Sequence, residues 1–163
     1  RYAVEVRHHS WFNELAYNFF KNNNICMVWS QQDRLVTPPV VTSDFVYLRL
    51  IGDRSIEEKD FGTIQRNRTE EIQKWAQEIK NVEKYDKSVL RAIISANNHY
   101  AGFGPGTVNN FREIMDMPLI SLEHRNDRVI PKYSYFGNSS KAENKDKEKE
   151  SKPKQTSISD FLS

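Results

Sequence analysis

The sequence predicts an α/β fold on a parallel sheet, from three observations. Apolar runs of strand length alternate with longer stretches whose apolar residues recur every three or four positions. The stretches between successive runs are long enough for the crossovers that parallel pairing requires. Paired prolines and clustered glycines fall between the runs and not inside them.

Taken in order, Tyr2 to His8 alternates like a strand, with Val4 and Val6 on one face and Ala3, Glu5 and Arg7 on the other. Ser10 is placed to cap a helix from Trp11 to about Asn22, with Leu15, Ala16, Phe19 and Phe20 as its apolar stripe. Ile25 to Trp29 is a second strand. Thr37-Pro38-Pro39 is a loop, because prolines remove ladder donors. Phe45 to Ile51 is a third strand, closed by Gly52. Asn67, with Glu70 three residues on, opens a helix carrying Ile72, Trp75, Ala76, Ile79 and Val82. Val89 to Ala96 is the fourth strand. The Gly102–Gly106 segment is a loop, and Thr107 starts a helix with Val108, Phe111, Ile114 and Met115 that Pro118 stops.

Four such units suit either a small open sheet or half of an eight-stranded (β/α) barrel. Parity favours the half barrel. Glu5 and Arg7 share one face late in the first strand, and Arg49 lies opposite Val46, Leu48 and Leu50 in the third. A packed core avoids unpaired charge, whereas a barrel enzyme needs charge at the carboxyl ends of its strands.

Composition narrows the class further. The 163 residues carry a net charge of +2 and a single cysteine, Cys26, inside an apolar run. No disulfide framework is available, so a reducing compartment is expected: cytoplasmic, or nuclear in a eukaryote. No apolar run approaches the roughly 20 residues of a membrane span, and no signal peptide is visible. Residues 141–154 are almost entirely Lys, Glu, Asp, Ser and Asn, a mixed-sign spacer expected to be disordered.

Three blocks together resemble the YecE-like family: Tyr2 to Trp11, Thr37 to Gly52, and Asn97 to Gly106. The resemblance implies a TIM barrel of which this chain holds the C-terminal half, strands five to eight, with the N-terminal half barrel a missing partner. It implies no assigned activity and no established metal, only an informal likeness to sugar isomerases. A chain opening on Arg1 in mid-pattern is expected to be a fragment or one half of a split barrel.

Glu5 suits a general base or an ion-pair partner, and Arg7 an anion clamp. Arg49 converges from the third strand, and two guanidinium forks match phosphate or carboxylate oxygens. Asn97 completes the expected catalytic set. His8, Asn98 and His99 are expected at the same rim. Gly104 and Gly106 are expected in a loop that leads to a helix N-terminus, a common phosphate cradle in barrels. Trp29 is expected in the core, or at a strand end where it stacks on a sugar or base. His8, His9 and His99 lack the compact spacing of a dedicated metal site, so no metal is expected and the cofactor is unknown.

The C-terminus carries the most specific signal. Gln155, Ile158, Phe161 and Leu162 have the spacing Gln-x-x-Ile-x-x-Phe-Leu. One helical turn gathers the three apolar residues on a single side. The pattern resembles the peptide by which replication and repair proteins bind the sliding clamp (PCNA), with Leu162 where the strict form has an aromatic. Three regions follow: a half barrel over 1–136, a charged linker over 137–154 and a clamp-binding peptide over 155–163. The expected function is a YecE-like protein docked on the clamp in DNA replication or repair, reaching DNA indirectly and acting on a phosphate-bearing substrate. The alternatives are a non-catalytic clamp-associated module and a sugar-phosphate isomerase-like enzyme.

Overall fold

The structure is a computed structural model that describes residues 1–122. The expected linker, the peptide with Gln155, Ile158, Phe161 and Leu162, and residues 123–136 of the expected half barrel lie outside the described residues.

The described residues form five strands and four α-helices. They are β1 (Tyr2–Val4), α1 (Glu14–Asn22), β2 (Ile25–Met27), β3 (Trp29–Gln32), β4 (Phe45–Gly52), α2 (Thr69–Tyr85), β5 (Arg91–Ala96), α3 (Asn98–Ala101) and α4 (Gly104–Ile114). The fold is mixed α/β, and every strand-to-strand pairing is parallel: β1 with β2, and β3–β4–β5 in a second ladder.

The run expected as one strand over Ile25–Trp29 is two, β2 and β3, and it continues to Gln32. The break has a local cause. Val28 still donates to Val4 O at 2.9 Å, while Thr42 Oγ1 takes the Met27 N–H at 2.7 Å and donates to Ile25 O at 2.8 Å. The Thr42 hydroxyl thus occupies the ladder positions that β4 would fill, and pairing with β4 begins only at Trp29. Within each ladder, strand positions follow chain order.

The β3–β4 connection, residues 33–44, contains no helix. Its Thr37-Pro38-Pro39 segment is pinned to β3 instead: Thr37 N donates to Ser30 O at 3.0 Å, and Trp29 Nε1 to Val40 O at 3.0 Å.

Asn13, not Ser10, caps α1, its side chain accepting from Ala16 N at 3.0 Å. Ser10 is used earlier, in a single 3-10 turn over His9–Trp11, where it bonds His8 Nδ1 at 2.8 Å. The buried stripe of α1 is accordingly Tyr17 and Phe20, with Phe12 and Ala16 beside them. Leu15 and Phe19, expected inside, are 83 % and 56 % exposed. Helix α2 buries Ile72, Trp75, Ala76 and Ile79, as its spacing predicts. Helix α4 starts at Gly104, three residues before Thr107, because Asn98 Oδ1 accepts from Gly104 N at 2.8 Å and Pro105 is pre-set for a first turn.

Two apolar clusters result. The larger joins Trp29, Val46, Leu48 and Leu50 of the sheet to Ile72, Trp75 and Ala76 of α2 and Phe111 of α4. The smaller joins Val6 and Met27 to Tyr17 and Phe20 of α1. The opposite face of β4, with Tyr47, Arg49 and Ile51, is only half buried. The edge strands carry apolar residues that remain exposed, Tyr2 on β1 and Ile93 on β5. No described helix is long and apolar enough to cross a membrane.

Candidate functional site

The carboxyl ends of the strands open into a polar cleft of about 740 Å³. Its charged and polar lining includes Arg7, Gln32, Arg49, Asp53, Asn97 and His99.

Strand alternation explains the centre of the site. With Val6 turned into the α1 cluster just past the end of β1, Glu5 and Arg7 face the other way, and Arg49 of β4 meets Glu5 in an ion pair. Glu5 stands between two guanidiniums. Arg49 Nη1 donates to Glu5 Oε2, and Arg7 Nη2 lies 2.5 Å from Glu5 Oε1. The second contact is charge against charge, since Oε1 receives no directed hydrogen bond. Exposure is graded: the Glu5 side chain is 11 % exposed, Arg49 36 % and Arg7 63 %. A mostly buried carboxylate thus balances two arginines that still reach solvent, leaving the triad one positive charge in excess.

Around the triad, Arg7 Nη1 donates to Gln32 Oε1 at 2.7 Å. The loop after β4 is tied by Asp53, which accepts from Ser55 N and Oγ on one oxygen and from Arg66 Nη1 at 2.6 Å on the other. Those bonds hold its carboxyl well below the usual carboxylate range, the Ser55 hydroxyl first and Arg66 after it. Arg54 adopts φ +61° and has no ion-pair or hydrogen-bond partner among the described residues, so its guanidinium is available at the mouth. Asn97 Oδ1 accepts from His99 N at 3.3 Å and starts α3. The His99 ring meets Phe61 edge-on at 4.9 Å, with its Nδ1 buried and unpartnered. Gly52 permits the closure. At φ +81°, any Cβ there would stand 2.3 Å from His99 O, so only glycine lets β4 end against the turn that carries His99.

The cleft therefore brings together Arg7, Arg49, Asn97 and His99, with Glu5 behind them. Other sequence-derived candidates lie elsewhere. Trp29 is 1 % exposed and stacked on Trp75, so it packs between sheet and helix and offers no face to a ligand. His8 stacks on His9 at 4.1 Å and bonds Ser10, held outward by the 3-10 turn. The Asn98 side chain is spent on capping α4. Gly104 and Gly106 belong to the first turn of α4, not to a cradle. A Cβ at Gly104 would strike Ala96 O at 2.7 Å, and one at Gly106 the Phe103 ring at 2.6 Å. Close packing is the reason for both glycines. Among the described residues, no three His, Cys, Asp or Glu side chains are grouped to hold a metal ion.

Sequence reasoning weighed Asp53 only as a partner of the rim histidines in a metal site, and it missed Gln32, Arg54 and Phe61. The signal for Gln32 and Arg54 was a polar residue within three positions of the end of a strand-like run. Phe61 sits in a loop with no periodicity to place it.

A family model described as "Protein of unknown function DUF72" matches residues 1–128. The chain belongs to the DUF72 family. This is the YecE-like family that its three sequence blocks resemble. A crystal structure of a DUF72 family protein from Thermotoga maritima is similar at 24% identity and TM-score 0.55, over 70% of this chain and 45% of that one. Two crystal structures of a DUF72 family protein from Enterococcus faecalis are similar at 18% and 20% identity, both at TM-score 0.54. They cover 72% and 71% of this chain, and 48% and 49% of theirs. This DUF72 chain spans a little under half the length of these solved relatives, whose likeness concerns the fold. No curated protein matches it.

Proposed function

We propose that this DUF72 chain is the C-terminal half of a (β/α) barrel whose strand-end cleft binds a phosphate- or carboxylate-bearing ligand. Its C-terminal peptide docks the whole on the sliding clamp. The observation that carries the cleft reading is the Arg7–Glu5–Arg49 arrangement, two arginines converging on one buried carboxylate beside His99 and Asn97. Guanidinium forks match tetrahedral and planar oxyanions, and the triad keeps a positive excess when no ligand is bound.

The strand order supports the barrel. Within each of the two ladders neighbours succeed one another in chain order, without a reversal, and β1 and β5 carry exposed apolar residues. Four further βα units, an N-terminal half barrel, would pair with both edges and close the cleft from the far side. Under this reading the ligand sits where barrel enzymes hold theirs, at the carboxyl ends of strands.

Calorimetric titration of the full chain with inorganic phosphate tests the cleft. Arg49→Ala is expected to weaken binding at least tenfold with little change in melting temperature, because Arg49 is one-third exposed and leaves Glu5 paired with Arg7. Equal affinity in native and variant chains would place the anion elsewhere.

Clamp docking rests on Gln155, Ile158, Phe161 and Leu162 at helical-turn spacing beyond a charged spacer. It assigns the protein to replication or repair, with DNA reached through the clamp. Phe161→Ala is expected to cost about 2 kcal/mol or more of affinity, as anchors of short docking peptides do. A pull-down on purified archaeal or eukaryotic clamp reads the result, and undiminished retention of the variant would remove the assignment.

A further inference from the structure

The Gln31-Gln32 pair ends β3 at an irregular step. Gln31 pairs with Leu50 but Gln32 with Gly52, so β4 spends Ile51 as an extra residue. Such bulges re-aim side chains next to sites. The two amides diverge here. Gln31 Oε1 accepts from Trp75 Nε1 at 2.9 Å on the helix side, while Gln32 reaches the cleft.

Gln32 links that cleft to two buried hydroxyls. Its Nε2 donates to Ser30 Oγ at 3.1 Å, and Ser30 Oγ lies 2.9 Å from Thr37 Oγ1. Ser30 and Thr37 are 0 % and 1 % exposed, so this end of the chain of bonds is anchored in the fold. At the other end Gln32 Oε1 accepts from Arg7 Nη1 at 2.7 Å. The orientation of the amide follows from chemistry: arginine only donates, so the carbonyl must face Arg7 and the NH₂ must face Ser30.

Arg7 needs such a partner. It follows a three-residue strand, its side chain is 63 % exposed, and its contact with Glu5 Oε1 lacks hydrogen-bond direction. The bond to Gln32 is its only side-chain hydrogen bond among the described residues. A long, solvated side chain held by charge alone samples many rotamers, which blurs a two-arginine site.

We propose that Gln32 is a positioning residue of the anion cleft: through Ser30 and Thr37 it fixes the Arg7 guanidinium beside Arg49 in the orientation that receives an oxyanion. The assignment deepens the anion-cleft reading and rests on it. A neutral amide suits the task, since a carboxylate at this position would hold Arg7 equally well but repel the ligand.

The test uses the full chain, native and with Gln32→Met or Gln32→Glu. Inorganic phosphate is titrated by calorimetry, the Arg7 side-chain N–H resonances are followed by ¹⁵N NMR, and melting temperature is the control. Gln32→Met, of similar length but unable to accept from Arg7, is expected to lose the Arg7 resonances to exchange. It should bind phosphate about tenfold more weakly and melt within a few degrees of the native chain. Gln32→Glu is expected to keep the Arg7 resonances yet bind phosphate more weakly still, separating position from charge. Native phosphate affinity in Gln32→Met, or unchanged Arg7 resonances, would overturn the proposal; so would a large fall in melting temperature with Arg7 unchanged, which assigns Gln32 to packing. If the native chain itself fails to bind phosphate, the anion-cleft reading falls, and the Arg7 resonances still decide whether Gln32 positions that side chain.

Discussion

Glu5→Gln is expected to bind inorganic phosphate about tenfold more tightly than the native chain while melting at a lower temperature. Glu5 is the carboxylate that neutralises Arg7 and Arg49, and an incoming oxyanion competes with it for the same N–H groups. Removing one negative charge about 4 Å from a bound anion relieves repulsion of up to about 4 kcal/mol at an effective dielectric near 20. Solvent at the half-open arginines screens most of that, and tenfold is about 1.4 kcal/mol. The stability cost has the opposite sign. Breaking a fully buried ion pair costs about 3–5 kcal/mol. With Arg7 63 % exposed, the two guanidiniums relax apart into water, so about 1–2 kcal/mol is the expected loss. For a domain of this size that lowers the melting temperature by roughly 4–8 °C. Calorimetry and thermal unfolding on the same sample check both signs. A purely structural ion pair predicts the destabilisation without the gain in affinity. A general base predicts unchanged affinity and loss of whatever turnover the complete barrel performs. Weaker phosphate binding in Glu5→Gln would argue that the carboxylate orients the arginines more than it competes with the ligand.

What the sequence made legible follows from which physics is local. Strand parity is local, so Arg49 opposite Val46, Leu48 and Leu50 is visible in the order of residues alone, as is the α2 stripe of Ile72, Trp75, Ala76 and Ile79. Competition between local signals is harder. Ser10 and Asn13 are both sound caps and Asn13 is used, while the packing of Tyr17 and Phe20 against Val6 and Met27 leaves Leu15 and Phe19 outside. Long-range substitutions leave no periodic trace. Thr42, fifteen residues away, takes the Met27 N–H and divides one apolar run into two strands. The glycines mislead for a related reason. Gly104 and Gly106 look like a phosphate loop in sequence, yet a Cβ at either would clash, at Gly104 with Ala96 O and at Gly106 with the Phe103 ring. In the site, residues on or next to the strand-like runs, such as Arg49, Arg7 and Asn97, were readable, and the loop residues Arg54 and Phe61 were not. Loop side chains are placed by turns and by tertiary contacts such as the meeting of Phe61 with His99.

Trp29→Ala is expected to remove a large share of the stability of the described α/β unit. The indole is 1 % exposed, stacks on Trp75 with ring centres 6.0 Å apart, and packs within the cluster formed by Val46, Leu48, Leu50 and Ile72. Truncating a buried Trp to Ala costs about 3–5 kcal/mol in transfer and cavity terms together. The change also frees Val40 O from Trp29 Nε1, releasing one tie that holds the Pro38-Pro39 segment to β3. Against a typical total of about 5–15 kcal/mol, a loss of that size leaves a marginal fold. Near-ultraviolet circular dichroism during heating should show a melting temperature lower by roughly 12–20 °C, on the order of 4 °C per kcal/mol lost. Trp29→Phe keeps a ring against Trp75 and gives up the hydrogen bond and part of the volume, so roughly 1–2 kcal/mol is expected. The pair of variants also separates the two roles open to this residue. A ligand-stacking Trp at a strand end would tolerate alanine with native melting and weakened ligand binding. A Trp in the sheet–helix interface loses its fold first, and phosphate affinity in Trp29→Phe should match the native chain. Native-like melting of Trp29→Ala would mean that the Trp29–Trp75 stack is not what joins β3 to α2.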